Sequence, residues 1–310
     1  NESASADRGA RKEFPAVAII VAENDILTIY DGDDPNLPMW MIFRAGGSNG
    51  HRMIGRTNEN TNCVSMLNGL MCVGRTSFGL HMINFIADRA RFKEAGYDTP
   101  YVAPIGTNRN GDNAWLGTNY DGQDLVNDTV TDVAMTVLPN APIDVATGLP
   151  TPTIAVATAG GTSIIRDDGD VFDIVYSGSP NTRYVDFRKS DNAIVMSMDS
   201  NASYVHVIYD IPTSDISGSH QYQKEAIDDE FYRTGSSQDW NQEVWIYGLS
   251  PFGDSVRIAN NVISGNKGIN VLSPSRTAAA TDTMVANITS SYNTGYMHGD
   301  IKGAYLADTD

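Results

Sequence analysis

Apolar and polar positions alternate in short runs through most of the chain, and the runs come in groups of three. The first group reads AVAIIVAE, ILTIYDGDD and MWMIF (16–43). The second reads CVSML, LMCVG and GLHMINFIAD (63–88), and the third TIAVATA, SIIRDDG and VFDIVYS (153–177). A fourth is TRYVDFR, AIVMSMD and YVHVIYDIP (182–212), and a weaker fifth is EVWIYGL, SVRIANN and GINVLSPS (243–275). Each run is five to ten residues, rich in β-branched and aromatic side chains, and bounded by Gly, Asn, Asp or Pro, which predicts strands joined by tight turns. Helical periodicity is scarce; FIADRARFKEAG (85–96) and TDTMVANITSSYNTGYM (281–297) are the two stretches that fit a short helix.

Consecutive meanders with an aliphatic middle strand predict an all-β, propeller-like fold of about five blades. One meander cannot cover both of its faces, and stacking several around an axis buries each against the next. The expected domain spans 1–280, with 281–310 as a connector leading on to a further module. The copies start near 16, 63, 153, 182 and 243, an uneven spacing that leaves a pair of β-sandwiches as the alternative. Two stretches rich in Gly, Asn, Asp and Ser, 97–150 and 213–242, read as long insertion loops, and long ordered loops tend to carry function. Within them stand Trp115, Tyr120, Tyr222, Tyr232 and Trp240. Aromatic rings set among amides and carboxylates suit sugar recognition, because ring faces stack and amides bond hydroxyls; packing of the loops onto the blades is the other reading. Trp115, Tyr120 and Trp240 are the candidate glycan contacts.

At 310 residues and 41% hydrophobic content, the chain can bury a large core. Its net charge of −17 and pI near 4.5 oppose a phosphate backbone, so no nucleic-acid partner is expected. No run approaches the roughly 18 apolar residues that a membrane helix needs, so no membrane insertion is expected. The polar start, NESASADRGARKEF, and the end at LADTD lead us to expect a piece cut from a longer polypeptide. Cys63 and Cys72 flank the hairpin turn in MLNGL and could face each other, but two cysteines make no disulfide framework and read best as small core residues.

Chemical motifs are few. HExxH, a P-loop and a strand-following GxGxxG are absent. His81 and His206 occupy matching places in GLHMINF and YVHVIYD, which points to a structural strand position; a metal-ligating pair is the alternative. Three carboxylate clusters stand out. Asp31, Asp33 and Asp34 in YDGDDP could hold calcium through oxygens but lack EF-hand spacing. Asp167, Asp168 and Asp170 in RDDGD read as a type I′ hairpin turn, since Asp-Gly tolerates the positive φ it requires. Asp228, Asp229 and Glu230 in IDDEF could supply a catalytic acid. No cofactor is expected, and no motif selects calcium. The sequons at Asn1, Asn127, Asn201 and Asn287 fit chance in so Asn- and Ser-rich a chain.

FPAVAIIVAE (14–23), IYDGDDPNLPMWMIF (29–43), SMLNGLMCVG (65–74), GLHMINFIAD (79–88) and SSYNTGYMHGDIKGAYLADTD (290–310) resemble uncharacterised tail-fibre or tail-appendage virion proteins of marine tailed bacteriophages. The likeness is patchy, covers about half the chain and brings no catalytic residues with it. AIVMSMD and YVHVIYD are also similar to the paired strands of seven-bladed surface-layer propellers, which bears on the fold alone. The first resemblance implies a virion, extracellular location, other virion proteins as partners and a homotrimer. The function expected is a non-enzymatic tail module that attaches to a host-surface glycan or positions a downstream binding module. A propeller-type glycoside hydrolase or lyase acting on surface polysaccharide is the rival, and a purely structural spacer the third reading.

Overall fold

The computed structural model describes residues 7–46, 52–101, 104–111, 123–177 and 180–199, and then the segments 203–219, 228–231, 246–252, 255–261, 267–273, 283–289 and 304–306. From 203 onward, side chains are described at 205–218 and 249–251 only. The chain divides into two compact units. The first holds Asn1–Ala159 and Ile165–Val171, and the second Gly160–Ile164 and Phe172–Asp310. Both are built almost wholly of strands in antiparallel meanders, so the fold class is all-β with blade-like sheets following one another in chain order.

In the first unit, β1 (Ala18–Ala22), β2 (Ile26–Asp31) and β3 (Met39–Arg44) form a three-stranded sheet. Asp7–Gly9 runs along the outer side of β3, with Gly9 N–H donating to Trp40 O at 2.9 Å and Ile42 N–H to Asp7 O at 2.8 Å. Then β4 (Thr61–Leu67), β5 (Leu70–Arg75), β6 (Leu80–Asn84), β7 (Arg89–Glu94) and β8 (Tyr97–Pro100) form a five-stranded antiparallel sheet. The four-residue helix α1 (Ile105–Asn108) follows, and β9 (Val130–Thr136) pairs antiparallel with β10 (Thr153–Thr158). Among the described residues, no helix is long and apolar enough to cross a membrane.

Local chemistry explains these elements. Asn68 and Gly69 both take positive φ, 51° and 76°, and Leu67 pairs with Leu70, so MLNGL closes a two-residue I′-type hairpin that sets the β4–β5 register. That register places Cys63 opposite Gly74 and Ser65 opposite Cys72, so the two cysteines are diagonal neighbours and remain free thiols. Behind the sheets, Trp40, Phe43, Phe92, Met71, Val73 and Ile83 fill a core shared with β1–β3. Phe85 sits among Phe14, Trp40 and Phe43 at ring-centroid distances of 5.0, 5.8 and 6.0 Å, in tilted and edge-on contacts that aromatic quadrupoles favour. A second cluster, with Cys72, Leu80, Val130, Val133, Ile154 and Val156, packs β9 and β10 onto the opposite face of β4–β8.

The second unit contains β11 (Gly161–Ile165, its last residue belonging to the first unit), β12 (Val171–Ser177), β13 (Thr182–Phe187), β14 (Ile194–Asp199) and β15 (Ser203–Ile208). It continues with β16 (Ile216–Ser219), β17 (Asp228–Phe231), β18 (Ile246–Phe252), β19 (Ser255–Asn261), β20 (Lys267–Ser273), β21 (Thr283–Thr289) and β22 (Ala304–Leu306). β16 adds to β12 in parallel, β17 adds antiparallel to β15, and β18 to β22 form one meander. Val195, Val205, Val207 and Tyr209 form the core around β14 and β15. Thr162 donates from Oγ1 to Thr182 Oγ1 at 3.0 Å, and both are buried.

Several sequence expectations are corrected. The stretch 85–96 is a turn followed by β7, because Ala90 and Phe92 alternate with Arg89 and Arg91 in the two-residue period of a strand. The other helical candidate, 281–297, contains β21, which pairs antiparallel with β20. The insertions are not structureless where described: 97–150 supplies β8, α1 and β9, and 213–242 supplies β16 and β17. β21 and β22, within the stretch expected to lead onward, extend the last sheet. RDDGD does turn, but as a three-residue loop closed by Arg166 N–H to Asp170 O at 2.9 Å. Gly169 alone has positive φ there (97°), so the loop is not type I′.

Candidate functional site

A cleft of about 630 Å³ opens in the first unit, on the face of β4–β8 that does not meet the aromatic core. The two-residue period of β7 builds one wall. Ala90 and Phe92 turn into the core, and Arg89, Arg91 and Lys93 line up on the cleft face. In register with them, Lys93 faces Asp98 and Arg91 faces Pro100 on β8. Asp98 is the hub: its carboxylate accepts from Lys93 Nζ at 2.5 Å and from Arg91 Nε at 2.8 Å, with Arg91 Nη2 on the same group. Lys93 also donates to Gln123 O at 2.7 Å. The side chains of Asp98 and Lys93 are 1% and 3% exposed. A pair so buried persists because each partner has further hydrogen-bonding groups to offset lost hydration.

The other wall comes from the loop 142–152 and the turn 165–169. Asp144 organises the loop: its backbone carbonyl accepts from Thr147 and Gly148 N–H, its N–H donates to Leu149 O at 2.9 Å, and its Oδ1 accepts from Ala146 N–H at 2.8 Å. Two tethers fix the loop to the sheet, Arg89 Nη2 to Asp144 Oδ2 at 2.6 Å and Asn68 Nδ2 to Pro150 O at 2.8 Å. Val145, at its tip, is 99% exposed. Across the cleft lie Arg166, Asp167 and Asp168, with Arg166 to Asp168 at 3.4 Å. Leu70, Met82, Ile154 and Ile165 form an apolar floor.

On the core face of the same sheet lies a buried polar group. His81 Nδ1 is 3.1 Å from Tyr101 Oη, and the imidazole forms a triangle with the rings of Phe92 and Tyr101, at 5.9 and 6.2 Å. Arg75 is fully buried and donates to Asn24 O at 2.5 Å, Thr61 Oγ1 at 2.6 Å and Arg56 O at 2.7 Å. Glu94 ends β7, and among the described residues its Oε1 has no hydrogen-bond partner. Burial, reinforced by nearby Asp128 and opposed by Arg56, pushes its carboxyl up to about 7. Burial, with Glu94 adding to it, also raises the Tyr101 phenol.

The sequence candidates fare unevenly. Trp115, Tyr120 and Trp240 lie outside the described residues, as do Tyr222 and Tyr232. His81 and His206 are both buried in the third strand of their meanders, and His206 stacks on Tyr176 at 4.4 Å and 17°. Asp31 and Asp33 are engaged by Arg11, and Asp33 also accepts from Ala16 and Val17 N–H, hydrogen bonds that lower its carboxyl. Asp34 caps Asn36. Asp228, Asp229 and Glu230 lie on β17, with side chains outside the described set. Among the described residues, no three His, Cys, Asp or Glu side chains gather as a metal site. The cleft's basic ladder, Arg89, Arg91 and Lys93, is missing from the sequence candidates. Its signal was the strict charge–apolar alternation of RARFK.

Comparison with known proteins finds no matching family model and no matching curated protein. Among solved structures, the chain is similar to Hsv2p of Kluyveromyces lactis, at 10% identity and a TM-score of 0.38 over 86% of this chain and 68% of that one. It is similar to the β-propeller domain of Cps50 (Swd1) from Myceliophteria thermophila, at 8% and 0.36 over 91% and 97%. YCF48 bound to D1 peptide gives 8% and 0.33 over 93% and 96%. Likenesses of this order say nothing of what the chain binds.

Proposed function

We propose that this chain is a non-enzymatic module of a bacteriophage tail that attaches to a host-surface glycan, or holds a downstream binding module in position. The cleft of the first unit carries the attachment reading. It sets hydrogen-bonding groups on two opposed walls above an apolar floor, the combination by which proteins hold the hydroxyls and the C–H faces of a sugar. Three of its four carboxylates are joined to cations, Asp98 to Lys93 and Arg91, Asp144 to Arg89 and Asp168 to Arg166. That pattern suits holding a ligand more than moving protons.

The test is a glycan array probed with the purified chain, followed by incubation of the best ligand with the protein. Retention on defined glycans, with no release of reducing ends or unsaturated products, is the expected result. Chain cleavage would replace this reading with the hydrolase or lyase. One observation favours that rival: Glu94, with its carboxyl near 7 beside Asp128, has the titration of a general acid. It does not line the cleft. A polysaccharide-degrading activity lost in Glu94→Gln would make it catalytic. Normal incorporation into particles without any glycan binding would leave the spacer role alone.

A further inference from the structure

We infer that the cleft selects a sugar acid, a hydroxyl-rich ring bearing one carboxylate; this deepens the attachment reading and rests on it. The two walls differ in charge. The β7–β8 wall sets Arg89, Arg91 and Lys93 against a single carboxylate, Asp98. The opposite wall carries Asp144, paired with Arg89 of the first wall, Asp168, paired with Arg166, and Asp167. In a chain of net charge −17, three cations on successive cleft-face positions of one strand, Arg89 and Arg91 exposed and Lys93 buried, concentrate positive charge on that wall.

Hydrogen-bonding capacity divides the same way. Arg91 uses Nε and Nη2 on Asp98, and among the described residues its Nη1 has no acceptor, although the side chain is 46% exposed. Arg89 uses Nη2 on Asp144, its Nε and Nη1 have no acceptor among the described residues, and its side chain is 60% exposed. These spare N–H groups are fixed in direction by the bonds already made, as a planar guanidinium requires for recognising a carboxylate. Asp167 has neither a donor nor a cation bound among the described residues, so its oxygens stand ready for hydroxyls. A ligand with one anion on one edge and hydroxyls on the other satisfies both walls. A densely charged polyanion meets three carboxylates and is rejected, and a neutral sugar leaves the spare guanidinium donors without a charged acceptor. The volume, about 630 Å³, lies inside the roughly 300–1,000 Å³ of small-ligand sites.

Isothermal titration calorimetry of the whole chain tests this with tetramers of galacturonate, mannuronate and glucuronate, a neutral galactotetraose and a heparin tetrasaccharide. At least one uronate tetramer is expected to bind about tenfold or more tighter than the neutral and sulfated probes, the size of one charge-assisted hydrogen-bonded pair. Arg91→Gln and Asp167→Asn should each weaken it about tenfold, with melting temperatures close to the parent's. Asp167 makes no hydrogen bond or ion pair among the described residues, so its variant keeps the test valid even if Arg91→Gln loosens β8. Equal binding of the neutral tetramer, or uronate binding untouched in both variants, would overturn the sugar-acid assignment and leave glycan attachment standing. Failure of every oligosaccharide to bind would overturn both.

Discussion

Glu94→Gln separates a buried ionisable group from its surroundings. The half-buried Glu94 carboxyl is pushed from an ordinary 4.5 to about 7, chiefly by burial. In the unfolded chain it titrates near 4.5, so between pH 4.5 and 7 the folded state holds a proton the unfolded state has lost. Stability is therefore full below about pH 4.5, declines across that window and levels off above about 7–8. The rise from 4.5 to about 7, at about 1.36 kcal/mol per tenfold change in proton affinity, sets a ceiling of about 3.4 kcal/mol. The group keeps part of its contact with water, and solvent screening brings this to about 1–2 kcal/mol. Glutamine cannot ionise, so Glu94→Gln should match the parent at pH 4.5 and exceed it by about 1–2 kcal/mol at pH 8. Urea titrations at pH 4.5, 6, 7 and 8 give the difference. Hydrogen exchange of the Ala95 amide, which donates to Asp128, and of the Leu125 amide, which donates to Glu94 O, localises it. A parent–variant gap that stays constant with pH, or a parent that is the more stable at pH 8, would refute the reasoning.

Other outcomes follow from the same structure. Phe43→Ala, at a fully buried ring, should cost about 3–5 kcal/mol in chemical denaturation. Burial raises both thiols, Cys72 to about 12, and no disulfide joins them, so Cys63 and Cys72 should resist a thiol reagent at pH 8 until the chain is unfolded, and then react as two. Arg75→Met leaves two backbone carbonyls and Thr61 without their buried donor and should lower stability by about 3 kcal/mol, seen as an earlier thermal midpoint. Alanine at Trp115 or Trp240 should abolish glycan-array signal at nearly unchanged melting temperature if those rings touch sugar; a large stability loss with intact binding would make them packing residues.

The middle strands of the meanders were legible because their apolar runs are long and bounded by turn residues. Edge strands were harder. β9 (VTDVAMT) lies in a stretch whose Asn, Asp and Gly content reads as loop, and only its pairing with β10 reveals it. β7 was misread because Arg, Ala, Lys and Glu favour helices, and intrinsic preference yields to the pairing of Phe92 with His81 and Thr99. The cleft inherited that error: read as a helix, RARFK spreads its charges around a cylinder, whereas a strand gathers them on one face. Asp98 could not be foreseen as a partner of Lys93 without the Ala95–Gly96 turn that makes them neighbours.

The loop 142–152 is pinned at Asp144 and at Pro150 before any ligand arrives. Little conformational freedom is then left to surrender on contact, and no gate has to swing shut. In the attachment role proposed above, many copies on one particle would add such contacts into lasting adhesion.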